Sequence, residues 1–244
     1  MKKHVLLSLT ALFITTLSHA KVWRVNNQVA SVPDFTEVST AIASASVVNG
    51  DTIYVEPSSS AYNNFNLTKQ LVIIGNGYFL DGGNVNHNAG LQENPNESSF
   101  SIIYLNAGCE GSTFIGLTIT AYFYFNSVTS AANITIEKCR YTSSTIFYWA
   151  GTKTYNDITV RKCFFDYSGN SDLFYSNTAS LNNFTVENCI FEGYVRFGNN
   201  GASTNLVFRN NTADYFQGVG VYVANNIFLN NTTSVFSSCI VRNN

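Results

Sequence analysis

Charge is scarce in this chain of 244 residues: Asp, Glu, Lys and Arg make up 11%, and the formal net charge is −2. Without a basic surplus there is no electrostatic footprint for nucleic acid. Long apolar runs are also missing, apart from Val5 to Leu17, which is too short to span a bilayer. Lys2 and Lys3 precede that run and Ser18-His-Ala20 follows it, the charged, apolar and small-residue order of a secretory signal peptide of bacterial type. We therefore expect cleavage near Ala20, a mature domain over residues 21–244, and a product that is secreted or held at the cell surface. No Cys follows the run, which argues against a lipid anchor.

What the chain has in quantity is Asn, Ser and Thr, and a phrase that returns. Ile134-Thr-Ile-Glu-Lys-Cys139 recurs as Ile158-Thr-Val-Arg-Lys-Cys163 and Phe184-Thr-Val-Glu-Asn-Cys189. Looser copies end at Asn211, Asn226 and Asn244. Self-similarity at a short period marks a solenoid whose repeats bury their apolar faces only against neighbours. Within the phrase, apolar and polar residues alternate with a period of two, which suits a half-buried strand.

Aligned on the sixth position, Val72, Ile134, Ile158, Phe184, Leu206, Val221 and Cys239 form one inward column. Ile74, Phe114, Ile136, Val160, Val186, Phe208, Val223 and Val241 form another. The sixth position holds Gly77, Leu117, Cys139, Cys163, Cys189, Asn211, Asn226 and Asn244. Just before it stand Asn76, Gly116, Lys138, Lys162, Asn188, Asn210, Asn225 and Asn243, where Gly and Asn predominate as at a bend that uses the left-handed backbone region. Sixth positions at 117, 139, 163, 189 and 211 give coils of 22, 24, 26 and 22 residues. Intervals of 15 and 18 follow, and the register there is provisional.

These phrases, with Gly50-Asp-Thr-Ile-Tyr-Val-Glu-Pro57 and Lys69-Gln-Leu-Val-Ile-Ile-Gly-Asn-Gly77, resemble the coils of right-handed parallel β-helix proteins of the pectin-lyase-like superfamily, from about Val22 onward. The resemblance implies an all-β fold, a single-stranded right-handed parallel β-helix. It implies no single activity, since that superfamily holds polysaccharide lyases, glycoside hydrolases, adhesins and proteins without known chemistry. A short capping helix is expected before the coils, where Asp34 and Glu37 frame a capping box and Phe35, Val38, Ile42 and Ala45 recur at helical spacing. The chain stops at Asn244 inside a phrase, so we expect it to continue or to be capped by a partner.

Candidate chemistry is thin. The paired-aspartate and Gly-His-Gly signature of polygalacturonases is missing, as is the arginine motif of pectate lyases, so no catalytic, cofactor or metal residue is assigned. Calcium enters only if the protein is a lyase. Cys139, Cys163 and Cys189 share an inward column on strands about 4.8 Å apart, wider than the ~3.8 Å a disulfide favours between Cβ atoms, which points to a reduced, buried ladder. Neither Cys109 nor Cys239 has a His at a nucleophile or metal spacing.

Glu137, Arg161, Glu187 and Arg209, then Ala224 and Arg242, form an outward column that reads as a salt-bridge ladder or, alternatively, as a site built on Glu137, Glu187 and Arg161. Asp81, His87 and Glu93 are a solvated loop or a small acid-base or metal site. Asp166 and Asp172 are the acids of one coil that could converge. Asn66, Asn133, Asn183 and Asn231 sit in Asn-X-Thr triplets expected by chance in such a composition.

Aromatic clusters at Tyr122–Phe125, Ile146–Trp149, Leu173–Tyr175 and Tyr194–Phe197 read as a second strand row. With Phe123, Phe125, Phe147, Trp149, Phe174, Val195 and Phe197 inside, Tyr124, Tyr148, Tyr175 and Arg196 face out. Such a strip stacks on sugar rings or simply stabilises the coil stack. The expected role is a non-catalytic exported solenoid that binds polysaccharide or a cell-surface component. The alternatives are a polysaccharide lyase or glycoside hydrolase, and a structural spacer of a surface assembly.

Overall fold

The computed structural model describes residues 20–28, 31–78, 96–125, 130–143, 147–149, 154–167, 174–175, 180–198, 203–230 and 234–244. They form an all-β parallel solenoid of about 6 turns. A ten-stranded sheet runs in chain order through Val22–Val25, Thr52–Val55, Val72–Ile74, Thr113–Ile115, Ser130–Glu137, Thr154–Arg161, Ser180–Glu187, Thr204–Arg209, Val221–Ala224 and Ile240–Arg242. The strands between them, among them Ser99–Leu105, Thr118–Phe125, Ile190–Gly198 and Thr212–Val219, build an eleven-stranded second sheet. All pairings are parallel, so each coil lays like residue on like residue.

The inward columns are as the repeat predicts from Phe114 to Val223, whereas in the last coil Cys239 is only half-buried and Val241 is exposed. Ile134, Ile158, Phe184, Leu206 and Val221 are register partners and buried, as are Phe114, Ile136, Val160, Val186, Phe208 and Val223. The provisional register after Asn211 holds, since Leu206 pairs with Val221 and Tyr222 with Ile240. One earlier coil is shifted. Ile73, not Ile74, pairs with Phe114, while Val72 and Ile74 face outward and half-buried. The run Leu71-Val-Ile-Ile is apolar on both faces, so alternation could not fix its register. The slip brings Gly75 against Gly116, where a Cβ on Gly75 would lie 2.4 Å from the Gly116 carbonyl oxygen.

Two columns of left-handed residues turn the corners. Gly116, Lys138, Lys162, Asn188, Asn210, Asn225 and Asn243 have φ between 51° and 65°, the expected bend before the sixth position. A second bend, absent from the sequence reading, comprises Asn133, Asp157, Asn183, Asn205, Gly220 and Ser238, with φ from 53° to 67°. It explains two of the Asn-X-Thr triplets: the corner Asn is followed by an inward Ile134 or Phe184 and then an outward Thr. Asn66 is an exposed strand residue, and Asn231 lies outside the described residues.

Inside the tube Cys139, Cys163 and Cys189 are free and buried, and the Cys163 N–H points at the Cys189 sulfur at 3.5 Å. The column then changes chemistry. The Cys189 N–H donates to Asn211 Oδ1 (2.9 Å), the Asn211 N–H to Asn226 Oδ1 (2.9 Å) and the Asn226 N–H to Asn244 Oδ1 (2.8 Å). The side-chain amides also donate across the coils, Asn211 to the Val186 carbonyl and Asn226 to the Phe208 carbonyl. Asn211 and Asn226 are 1% and 4% exposed, so this ladder satisfies amides that burial would otherwise penalise.

Near the start of the coils a six-residue helix spans Val38–Ala43, with Val38, Ala41 and Ile42 buried. The expected capping box does not form. Glu37 is itself the N-cap, without a side-chain cap bond, and its carboxylate binds Asn63, while Asp34 accepts the Arg24 N–H. Ala45 is exposed rather than part of the apolar stripe. It is the segment ahead of the helix that hydrogen-bonds to the first strand, through the Val25–Phe35 bridge. Asp51, 1% exposed, accepts from the Lys21 N–H (2.8 Å), Trp23 Nε1 (2.8 Å) and the Val48 N–H (3.0 Å). Burial opposes its charge, but these donors prevail and hold its carboxyl below the ordinary 3.8. Among the described residues no helix is long and apolar enough to cross a membrane.

Candidate functional site

The outer face of the second sheet carries the aromatic residues that the inner face leaves over. Phe123, Phe125, Phe147, Val195 and Phe197 are buried, so the alternation of those strands turns their neighbours outward. Tyr104 and Tyr124 are register partners, with ring centroids 5.6 Å apart, and Tyr124 pairs in turn with Tyr148. Tyr122 stands 6.3 Å from Tyr124 along the same strand. Tyrosines therefore hold register-equivalent positions on three successive rungs, and Tyr104 extends the set beyond the residues singled out from sequence.

The other members of the expected strip lie on different rows. Tyr175 is in register with Gly198, and Arg196 with Gln217. Beside Arg196, Tyr194 and Tyr215 stack with centroids 4.4 Å apart, and the Tyr194 hydroxyl bonds to Gln217. This second aromatic clasp was missed because Tyr215 sits in a degraded repeat. For Tyr148 and Tyr175 only the backbone is described, as for Trp149 and Phe174.

A polar cluster lies where these strands leave the corner. Arg140 Nη1 meets Glu97 Oε1 at 3.0 Å, and its Nε and Nη2 both donate to Asp166 Oδ2. Glu97 also accepts from the Thr118 hydroxyl at 2.6 Å. Glu192, one rung beyond Asp166, hydrogen-bonds to it, and desolvation together with the Asp166 charge raises the Glu192 carboxyl above its ordinary 4.5. A carboxyl whose pKa is raised beside an Arg-paired carboxylate has the polarity of an acid-base pair. The strand carrying Glu192 bulges there, its register shifting between Phe191 and Tyr194, which re-aims the side chain.

The outward charge column is present in register. Arg161 pairs with Glu137 at 2.7 Å, Lys162 with Glu137 at 3.0 Å, and Arg209 with Glu187 at 2.7 Å. Both Glu137 and Glu187 are thus engaged by cations of the following coil, as a structural ladder requires. Asp157 lies in the second corner, away from Asp166. Asp81, His87, Glu93 and Asp172 lie outside the described residues. Among the described residues no group of three or more His, Cys, Asp or Glu is placed to hold a metal ion. No protein-family profile, curated protein or solved structure matches this chain.

Proposed function

We propose that this chain is an exported bacterial solenoid, cleaved near Ala20, that binds polysaccharide or a cell-surface component through its outward tyrosines without catalysing a reaction. The carrying observation is the row Tyr104, Tyr124 and Tyr148 on consecutive rungs of a rigid sheet. Half-buried tyrosines such as Tyr104 and Tyr124 keep an apolar face and a hydroxyl available at little entropic cost, and coil spacing repeats that offer along the axis. Arg196 and the backbone of Tyr175 belong to the same sheet, and in this reading both residues extend the contact.

The test is a glycan array with the mature protein, followed by titration of any hit. Tyr104→Ala with Tyr124→Ala should weaken binding by about tenfold or more, as loss of aromatic anchors does, and so should Tyr148→Ala with Tyr175→Ala. Unchanged binding in both pairs would remove the tyrosine face from consideration.

The second reading, a lyase or hydrolase, draws on the cluster of Arg140, Asp166 and Glu192. Release of reducing or unsaturated sugars from a polysaccharide panel, with and without calcium, decides it. Activity lost in Glu192→Gln would establish the enzyme.

A further inference from the structure

The second corner carries a ladder of side-chain amides. Asn183 Nδ2 donates to Asp157 Oδ1 and Asn205 Nδ2 donates to Asn183 Oδ1, each at 2.9 Å. Each rung thus uses the acceptor of the rung before it and offers its own to the rung after. The rung after Asn205 is Gly220, because Leu206 pairs with Val221. Glycine has no amide to give, and among the described residues no donor reaches Asn205 Oδ1. A Cβ on Gly220 would meet nothing within 4 Å. The result is a hollow of about 210 Å³ bounded by Asn205, Gly220 and Ser238 on the corner and by Leu206, Val221 and Tyr222 beside it. Leu206 and Val221 are buried and give it an apolar floor; Tyr222, 37% exposed, offers a ring at the side.

We propose that this hollow binds one acetamido sugar residue. Its features call for a compact ligand with an N–H donor, an adjoining acceptor and an apolar ring face. An acetamido group supplies the N–H that Asn205 Oδ1 lacks, takes the place in the ladder that Gly220 leaves open, and can accept from the Ser238 hydroxyl. The pyranose ring then lies against Tyr222, where an aromatic face and its hydroxyl serve an amphipathic ring. A plain hydroxylated sugar fills the space without a planar amide to continue the ladder. This site lies at a corner of the first sheet, apart from the tyrosine row, and stands whether or not that row binds glycan.

The probe is triacetylchitotriose, with cellotriose as the sugar lacking acetamido groups, each added to the mature protein and followed by saturation-transfer NMR and titration of tyrosine fluorescence. Transfer to the acetamido methyls, with cellotriose weaker by about tenfold or more, is expected. Gly220→Asn should continue the ladder, fill the hollow and abolish that transfer without lowering the melting temperature, since Asn tolerates φ near +60°. Should that variant fail to fold, Tyr222→Ala and Asn205→Ala carry the test, each weakening chitotriose binding. Tyr104→Ala with Tyr124→Ala should leave it unchanged. Absence of transfer to chitotriose, equal binding of the two trisaccharides, or full binding by the hollow variants overturns the proposal.

Discussion

At the residue scale, burial separates side chains that fill the tube from those that compromise it. Tyr141 stacks on Phe165 at 4.9 Å, and Phe165 on Phe191 at 4.3 Å, so its ring belongs to an aromatic pile inside the coils. Its hydroxyl is buried with no hydrogen-bond partner among the described residues. Leaving a hydroxyl unpaired costs about 1–3 kcal/mol, so Tyr141→Phe should raise the denaturant midpoint; a lower midpoint would show that the hydroxyl is satisfied. Titration acts on single residues too. Glu192 has a raised carboxyl pKa, so the folded state holds that proton more tightly than the unfolded chain, and stability falls as pH rises through the folded value. Glu192→Gln should therefore raise the melting temperature at pH 7 and have little effect below its ordinary 4.5. Asp51 and Glu137 have the opposite sign: their lowered pKa values give stability that is present at neutral pH and lost as acid protonates them.

At the scale of elements, the change from thiols to amides along one column divides the stack into a coil type held by packing and one held by polar bonds. Asn226 accepts from the Asn211 N–H and donates to the Phe208 carbonyl. Asn226→Ala would leave the Asn211 N–H without this partner in a dry interior, a loss of about 1–3 kcal/mol. Denaturant unfolding should show it, and a variant as stable as the parent would mean that water replaces the amide. The strands and first corner were legible because alternation and the Asn or Lys before the sixth position are both local signals. The second corner was not, since Asn133, Asp157, Asn183 and Gly220 precede inward residues inside what reads as one continuous strand. The coil at Val72–Ile74 misled because both faces there are apolar, and the capping box because Asp34 and Glu37 found tertiary partners instead.

At the scale of the molecule, the architecture was readable because a solenoid repeats one decision many times, so that an error at Ile74 does not spread to Ile136. The site was only partly readable. Tyr124 and Tyr148 are neighbours because they belong to repeated strands, whereas the meeting of Glu97, Arg140, Asp166 and Glu192 depends on loops of unequal length between coils. No period in the sequence encodes that.

The Lys21 backbone nitrogen, 2.8 Å from Asp51 Oδ1, gives the proposed leader cleavage a structural consequence. While a leader is attached, that nitrogen is a neutral amide. Were the chain cut after Ala20, as proposed, it would become an ammonium ion facing a carboxylate sealed from water, and removal of the proposed leader would tighten the first turn.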